Sequence, residues 1–130
     1  MRTINKKLKL NTTPDKIYHA LLDSQLHTQI TGSTAKVSDK QGDTFLTFDG
    51  WANGENLELV KNKKIVQSWR VQDEGWPEEH FSKITFELTE TPEGTELSFN
   101  HTEIPEEAVG DYEQGWEDYY WIPLQEMFNS

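Results

Sequence analysis

Residues 115–128, GWEDYYWIPLQEMF, carry five aromatic side chains around one proline. A stretch this apolar needs something to wrap it. On a helical wheel with Trp116 at zero and about 100° per residue, Val109, Tyr112, Tyr119, Tyr120, Pro123 and Met127 fall within roughly 60° of it. Leu124 and Phe128 widen the arc, and Asp111, Gln114, Asp118 and Gln125 lie opposite. The apolar arc spans nearly half the circumference, more than a flat sheet covers. A curved sheet that grips the helix would cover it. Pro123 has no N–H and crowds the carbonyl of Tyr119, so a kink is expected there.

The rest of the chain supplies such a sheet. Thr3–Leu10 alternates, with Ile4, Leu8 and Leu10 on one face. Thr13 and Pro14 then suit the start of a helix, with Ile17 and Leu21 on one side. Ser24 is read as the cap of a second short helix that stops at Gly32. Strands are expected at Lys36–Ser38, Thr44–Phe48, Trp51–Val60, Ile65–Gln72, Phe81–Leu88 and Thr95–Thr102. Asp49-Gly50 signals a hairpin, and Gly54 a bulge or bend. Pro105 is read as opening the last helix. This order makes an α+β domain: a curved antiparallel sheet of about six to seven strands around a long C-terminal helix, with two short helices after the first strand.

A chain of 130 residues fits one domain, 1–130, burying roughly two-thirds of its unfolded surface. Without cysteine it has no disulfide and no thiolate chemistry, and nothing near the N-terminus reads as a signal peptide or membrane span. A cytoplasmic location is the default. Net charge is −11, unevenly placed: +4 over residues 1–72 and −15 over residues 73–130. The acidic half repels phosphate backbones and anionic membranes, so neither nucleic acid nor membrane insertion is expected. It is a solvated face or a docking surface for a basic partner.

Alternation turns Ser82, Ile84, Phe86 and Leu88 inward, with Thr95, Leu97, Phe99 and His101, and with Ile65, Gln67, Trp69 and Val71. Gln67, Ser82 and His101 are polar, and Glu113 falls inside the helix's apolar arc. Buried polar groups need partners or water. Either these satisfy one another or sit at the rim, or they mark a cavity between helix and sheet. The candidate lining of such a cavity is Trp69, Ser82, Phe86, Phe99, His101, Tyr112, Glu113 and Trp116. The competing outcome is that Trp69, Trp116 and Tyr119 fill the space. His19 and His27 are read as exposed, and Trp51, Trp69 and Trp116 as core. Trp76, beside Pro77, is either a lid or a cap over the barrel end.

Catalytic signals are weak. His101 and Glu113 could pair as acid and base, but no motif surrounds them. His80 and His101 lack a third ligand, and no HExxH pattern, phosphate loop or G-x-S-x-G elbow exists. No metal and no cofactor is expected.

Four segments in order, FDGWANGENLELVKNKKIVQSWR, WPEEHFSKITFEL, GTELSFNHTEIPEE and GWEDYYWIPLQEMF, resemble the activator of heat shock protein 90 ATPase homologue family, over essentially the whole chain. The likeness is to that family's C-terminal domain, within the START-like, helix-grip superfamily (SRPBCC, Bet v 1-like). It implies the same curved sheet around a C-terminal helix. Distant members bind lipids, sterols and aromatic compounds, and some are cyclases. Three functions follow: a binding module for a hydrophobic small molecule, a chaperone-associated regulator docking through its acidic half, or a small cyclase or hydrolase.

Overall fold

The computed structural model describes residues 1–129. Strand β1 (Arg2–Leu10) is followed by helices α1 (Pro14–Leu22) and α2 (Ser24–Thr31). Five strands come next: β2 (Thr44–Thr47), β3 (Ala52–Val60), β4 (Lys64–Val71), β5 (Ser82–Thr91) and β6 (Gly94–Ile104). The chain ends in α3 (Tyr112–Trp116), a π-helical turn (Glu117–Trp121) and α4 (Ile122–Asn129), which run on as one helix. The strands form one antiparallel sheet of six, ordered β1-β6-β5-β4-β3-β2, curved around that helix. Among the described residues no helix is long and apolar enough to cross a membrane.

The inward faces read from alternation are the buried ones. Ser82, Ile84, Phe86 and Leu88 face the helix beside Thr95, Leu97, Phe99 and His101, with Phe86 opposite Phe99 and Ile84 opposite His101. Ile65, Gln67, Trp69 and Val71 continue the surface. Gly54 is required by a close approach: a Cβ there would lie 1.8 Å from the carbonyl oxygen of Ser68 on β4.

Several expected boundaries move. Asp23, not Ser24, caps α2, its carboxylate accepting from Leu26 N–H at 3.0 Å; Gly32 ends the helix in the left-handed region. Lys36–Ser38 is no strand but a single bridge, Lys36 to Leu46. Asp49-Gly50 does turn the chain, but within a tight turn in which Phe48, Asp49 and Gly50 all have positive φ. An aromatic residue in that region is uncommon and must be held by its contacts. Phe48 is so held, with its ring 5.3 Å from Tyr119 and 5.8 Å from Trp51. The last helix begins at Tyr112, not Pro105, because Asp111 caps it through Gln114 N–H at 3.2 Å.

The largest correction lies in the last helix. A regular helix puts Trp121 about 140° from Trp116, away from the sheet. Instead Ile122 N–H bonds to Glu117 O, five residues back. One extra residue in the turn winds the phase back by about 100°, which carries Trp121 to about 40° and into the core. Trp121 is 2% exposed, whereas Tyr119, expected inside, is 48% exposed. Pro123 supplies the cause: it cannot donate to Tyr119 O and its ring crowds that carbonyl, so the preceding turn widens. The expected kink takes this form.

Candidate functional site

Beneath the helix the inner space is packed. Trp116 lies 4.5 Å from Phe99, 4.7 Å from Tyr120 and 5.0 Å from Trp69, ring centre to ring centre, and Trp121 lies 4.8 Å from Phe99. What is left among Ile65, Gln67, Phe86, Trp116 and their neighbours is a gap of about 10 Å³, room for roughly one water.

The inward polar groups satisfy one another. Trp116 Nε1–H donates to His101 Nδ1 at 3.0 Å. An indole only donates, so His101 is the neutral tautomer with its proton on Nε2. That proton reaches Ser82 Oγ at 2.7 Å, and Ser82 Oγ–H reaches Trp69 O at 3.0 Å. Burial, aided by the charge of Arg2, lowers the His101 pKa from 6.5 to about 3. Gln67 donates to Asn56 Oδ1 at 2.9 Å. His27, expected at the surface, is buried. Its Nδ1–H donates to Leu21 O at 2.9 Å and its Nε2 accepts from Tyr120 Oη–H at 2.7 Å. Burial lowers its pKa and raises that of Tyr120. Thr47 Oγ1, also buried, has no hydrogen-bond partner among the described residues.

Glu113 is exposed and outside this cluster. Both His101 nitrogens are engaged with Ser82 and Trp116, so the acid–base pair of His101 and Glu113 does not form. Glu113→Gln is therefore expected to shift stability by less than about 0.5 kcal/mol. A urea midpoint showing a larger loss would place Glu113 in a contact that the structure lacks. His80 Nε2 instead meets Glu103 O at 2.7 Å. Among the described residues no three His, Cys, Asp or Glu side chains are placed to hold a metal ion.

One open groove lies at the N-terminal end of the last helix. It measures about 350 Å³ and runs between α3 and the β2–β3 turn. Trp69 lines it from the sheet, Tyr112, Trp116, Tyr119 and Tyr120 from the helix, Phe48 and Trp51 from the turn, and Asp73 and Asp111 complete it. Asp73 is held in place: its Oδ2 accepts from Tyr112 Oη–H at 2.9 Å and its Oδ1 from Glu74 N–H at 3.1 Å. Burial and the Asp73 carboxylate push the Tyr112 pKa up to about 12. Gly115 also borders the groove, and a Cβ added there meets no atom within 4 Å.

Of the eight residues expected around a cavity, Trp69, Tyr112 and Trp116 border this groove. Ser82 and His101 are tied into the buried hydrogen-bond chain, Phe86 and Phe99 pack the core, and Glu113 points elsewhere. Phe48, Trp51, Tyr119, Tyr120 and Asp73 border it as well and lie outside that expected set. Trp51, expected in the core, is 37% exposed. Two aromatics flanking an Asp-Gly turn were the available signal for Phe48 and Trp51. Trp76 is buried and caps the sheet's end, donating its indole N–H to His80 O at 2.9 Å and meeting the Tyr112 ring edge-on at 5.7 Å.

Four likenesses bear on this architecture. The chain is 32% identical over 117 residues to the human Activator of 90 kDa heat shock protein ATPase homolog 1, matching 90% of this chain and 34% of that protein. It thus spans about a third of the length of that relative. Its fold matches the crystal structure of an HSP90 activator from Plasmodium falciparum with a TM-score of 0.89 at 26% identity, over 98% of this chain and 96% of that one. A Mesorhizobium loti protein shares the fold with a TM-score of 0.84 at 23% identity, over 97% of this chain and 96% of that one. The profile described as Activator of Hsp90 ATPase homolog 1-like protein matches residues 11–129. Since that match takes in five of the six strands and the whole of the helix they grip, the chain belongs to this family.

Proposed function

We propose that this chain is a non-catalytic binding domain that holds a small apolar or aromatic ligand in the groove between α3 and the β2–β3 turn. The observation that carries this reading is the groove itself: about 350 Å³, walled by aromatic rings and open to solvent, beside a core otherwise packed shut. Ligand sites are concave and mostly apolar, with a few fixed polar groups, and this size lies at their lower end. The aromatic rings are positioned by packing and by the Tyr112–Asp73 bond, so little order is lost on binding. The Tyr112 hydroxyl does donate to Asp73, but its pKa, pushed up to about 12, keeps it protonated, which favours binding over catalysis.

An uncharged fluorescent probe, N-phenyl-1-naphthylamine, tests it. Saturable uptake of one probe per chain is expected. Gly115→Leu should abolish uptake while keeping the fold, since that position has open space and leucine favours helix more than glycine does. No uptake, or uptake untouched by Gly115→Leu, overturns the reading.

A second reading is favoured by the likeness to the human activator and the Plasmodium one. Here the chain is a chaperone-associated regulator whose acidic half docks on a basic surface. A pull-down with a heat shock protein 90 homologue and an assay of that chaperone's ATP hydrolysis decide it: binding that weakens with salt and faster hydrolysis support it, and no binding at low salt excludes it.

A further inference from the structure

Resting on the reading of the groove as a ligand site, we propose that its ligand is a small organic cation, an ammonium bearing apolar or aromatic substituents. The lining combines seven aromatic rings, six of them tilted or edge-on to one another, with two carboxylates, Asp73 and Asp111, and contains no Lys, Arg or His. The faces of Trp, Tyr and Phe rings carry negative charge density, and a cation within about 6 Å of such a face is attracted to it. Both carboxylates are fixed in place. Asp73 accepts from Tyr112 Oη–H and Glu74 N–H, and Asp111 Oδ1 accepts from Gln114 N–H. Among the described residues neither is paired with a cationic side chain at salt-bridge distance.

The protein already makes one such contact in this wall. The Arg2 guanidinium sits 5.4 Å from the centre of the Tyr112 ring while donating to Ala108 O at 2.9 Å, and Arg2 is not part of the groove lining. The wider field acts in the same sense, since residues 73–130 carry a net −15. An anionic ligand would meet these carboxylates without a counter-charge. A neutral one would gain only the burial of apolar surface. An ammonium whose charge is spread over alkyl groups gains both that burial and the attraction, and it loses little hydration on entering.

The test uses the whole chain and two molecules of one shape, phenyltrimethylammonium and tert-butylbenzene, which differ in a charged nitrogen replacing a carbon. Titrations are followed by the indole N–H signals in two-dimensional NMR. Those of Trp51 and Trp69, which line the groove, should move, and those of Trp76 and Trp121, which do not, should stay. The cation is expected to bind about tenfold or more tighter than its neutral twin, with the preference shrinking in 0.5 M salt. Asp73→Asn keeps an oxygen for the Tyr112 hydroxyl but removes the charge. It should weaken the cation several-fold more than it weakens the neutral molecule. Equal binding of the two molecules, or a preference untouched by Asp73→Asn, overturns the charge inference and leaves the groove reading in place. Failure of both molecules to move Trp51 and Trp69 overturns both.

Discussion

Trp116→Ala is expected to leave the protein largely unfolded, or melting more than about 15 °C lower. Trp116 packs against Trp69, Phe99, Tyr120 and Trp121 from the centre of the gripped helix. Truncating a buried tryptophan costs about 3–5 kcal/mol. The same change orphans His101 Nδ1, which adds about 1–3 kcal/mol for an unpaired buried acceptor. The total is comparable with the whole stability of a typical domain, about 5–15 kcal/mol. Trp116→Phe separates the two costs: it keeps a ring in the cluster but loses the indole donor, so it should fall between wild type and Trp116→Ala. Thermal unfolding by circular dichroism measures both. A drop of only a few degrees for Trp116→Ala would sink the placement of this residue at the core's centre.

Acid should unfold the protein through His101. Its folded pKa is lowered to about 3, whereas in the unfolded chain it titrates near 6.5. Between those values the unfolded state binds more protons than the folded one, so stability falls as pH falls. The loss amounts to about 3 kcal/mol at pH 4.5 and about 4 kcal/mol near pH 3, on the order of 1.4 kcal/mol per pH unit across the window. Buried His27 acts in the same direction. Relief of the net charge of −11 acts in the opposite one. His101→Gln isolates the effect, since that variant keeps every other titrating group. Urea titrations at pH 7.5 and 4.5 should show wild type losing about 3 kcal/mol more than the variant between the two pH values. Equal losses would mean that the Trp116–His101–Ser82 chain does not hold the imidazole neutral.

Much of the fold was legible because the signals that encode it are local. Alternation within β4, β5 and β6 placed all twelve inward residues, since neighbouring side chains on a strand must point to opposite faces. Gly32 marked a helix end because it alone adopts that backbone without strain. The breadth of the apolar arc around Trp116 called for a curved sheet. The presence of polar residues among the inward set was legible too, and with it the choice between mutual satisfaction and a cavity.

The candidate site was less legible, because it depends on contacts between distant segments. A wheel assumes one constant pitch, and a single π-helical turn before Pro123 exchanges the fates of Trp121 and Tyr119. His27 is buried because Tyr120, far along the chain, supplies its hydrogen bond. Phe48 holds a positive φ only because Trp51, Tyr119 and Tyr120 receive its ring. Sequence by itself determined that a curved sheet would grip an aromatic helix, since each element needs only its own periodicity. Tertiary structure alone decided that the space beneath the helix would be filled and the groove would open beside it. Whether aromatic rings close a cavity depends on their relative phase and on which polar atoms meet across the core, and both are set only when the elements pack together.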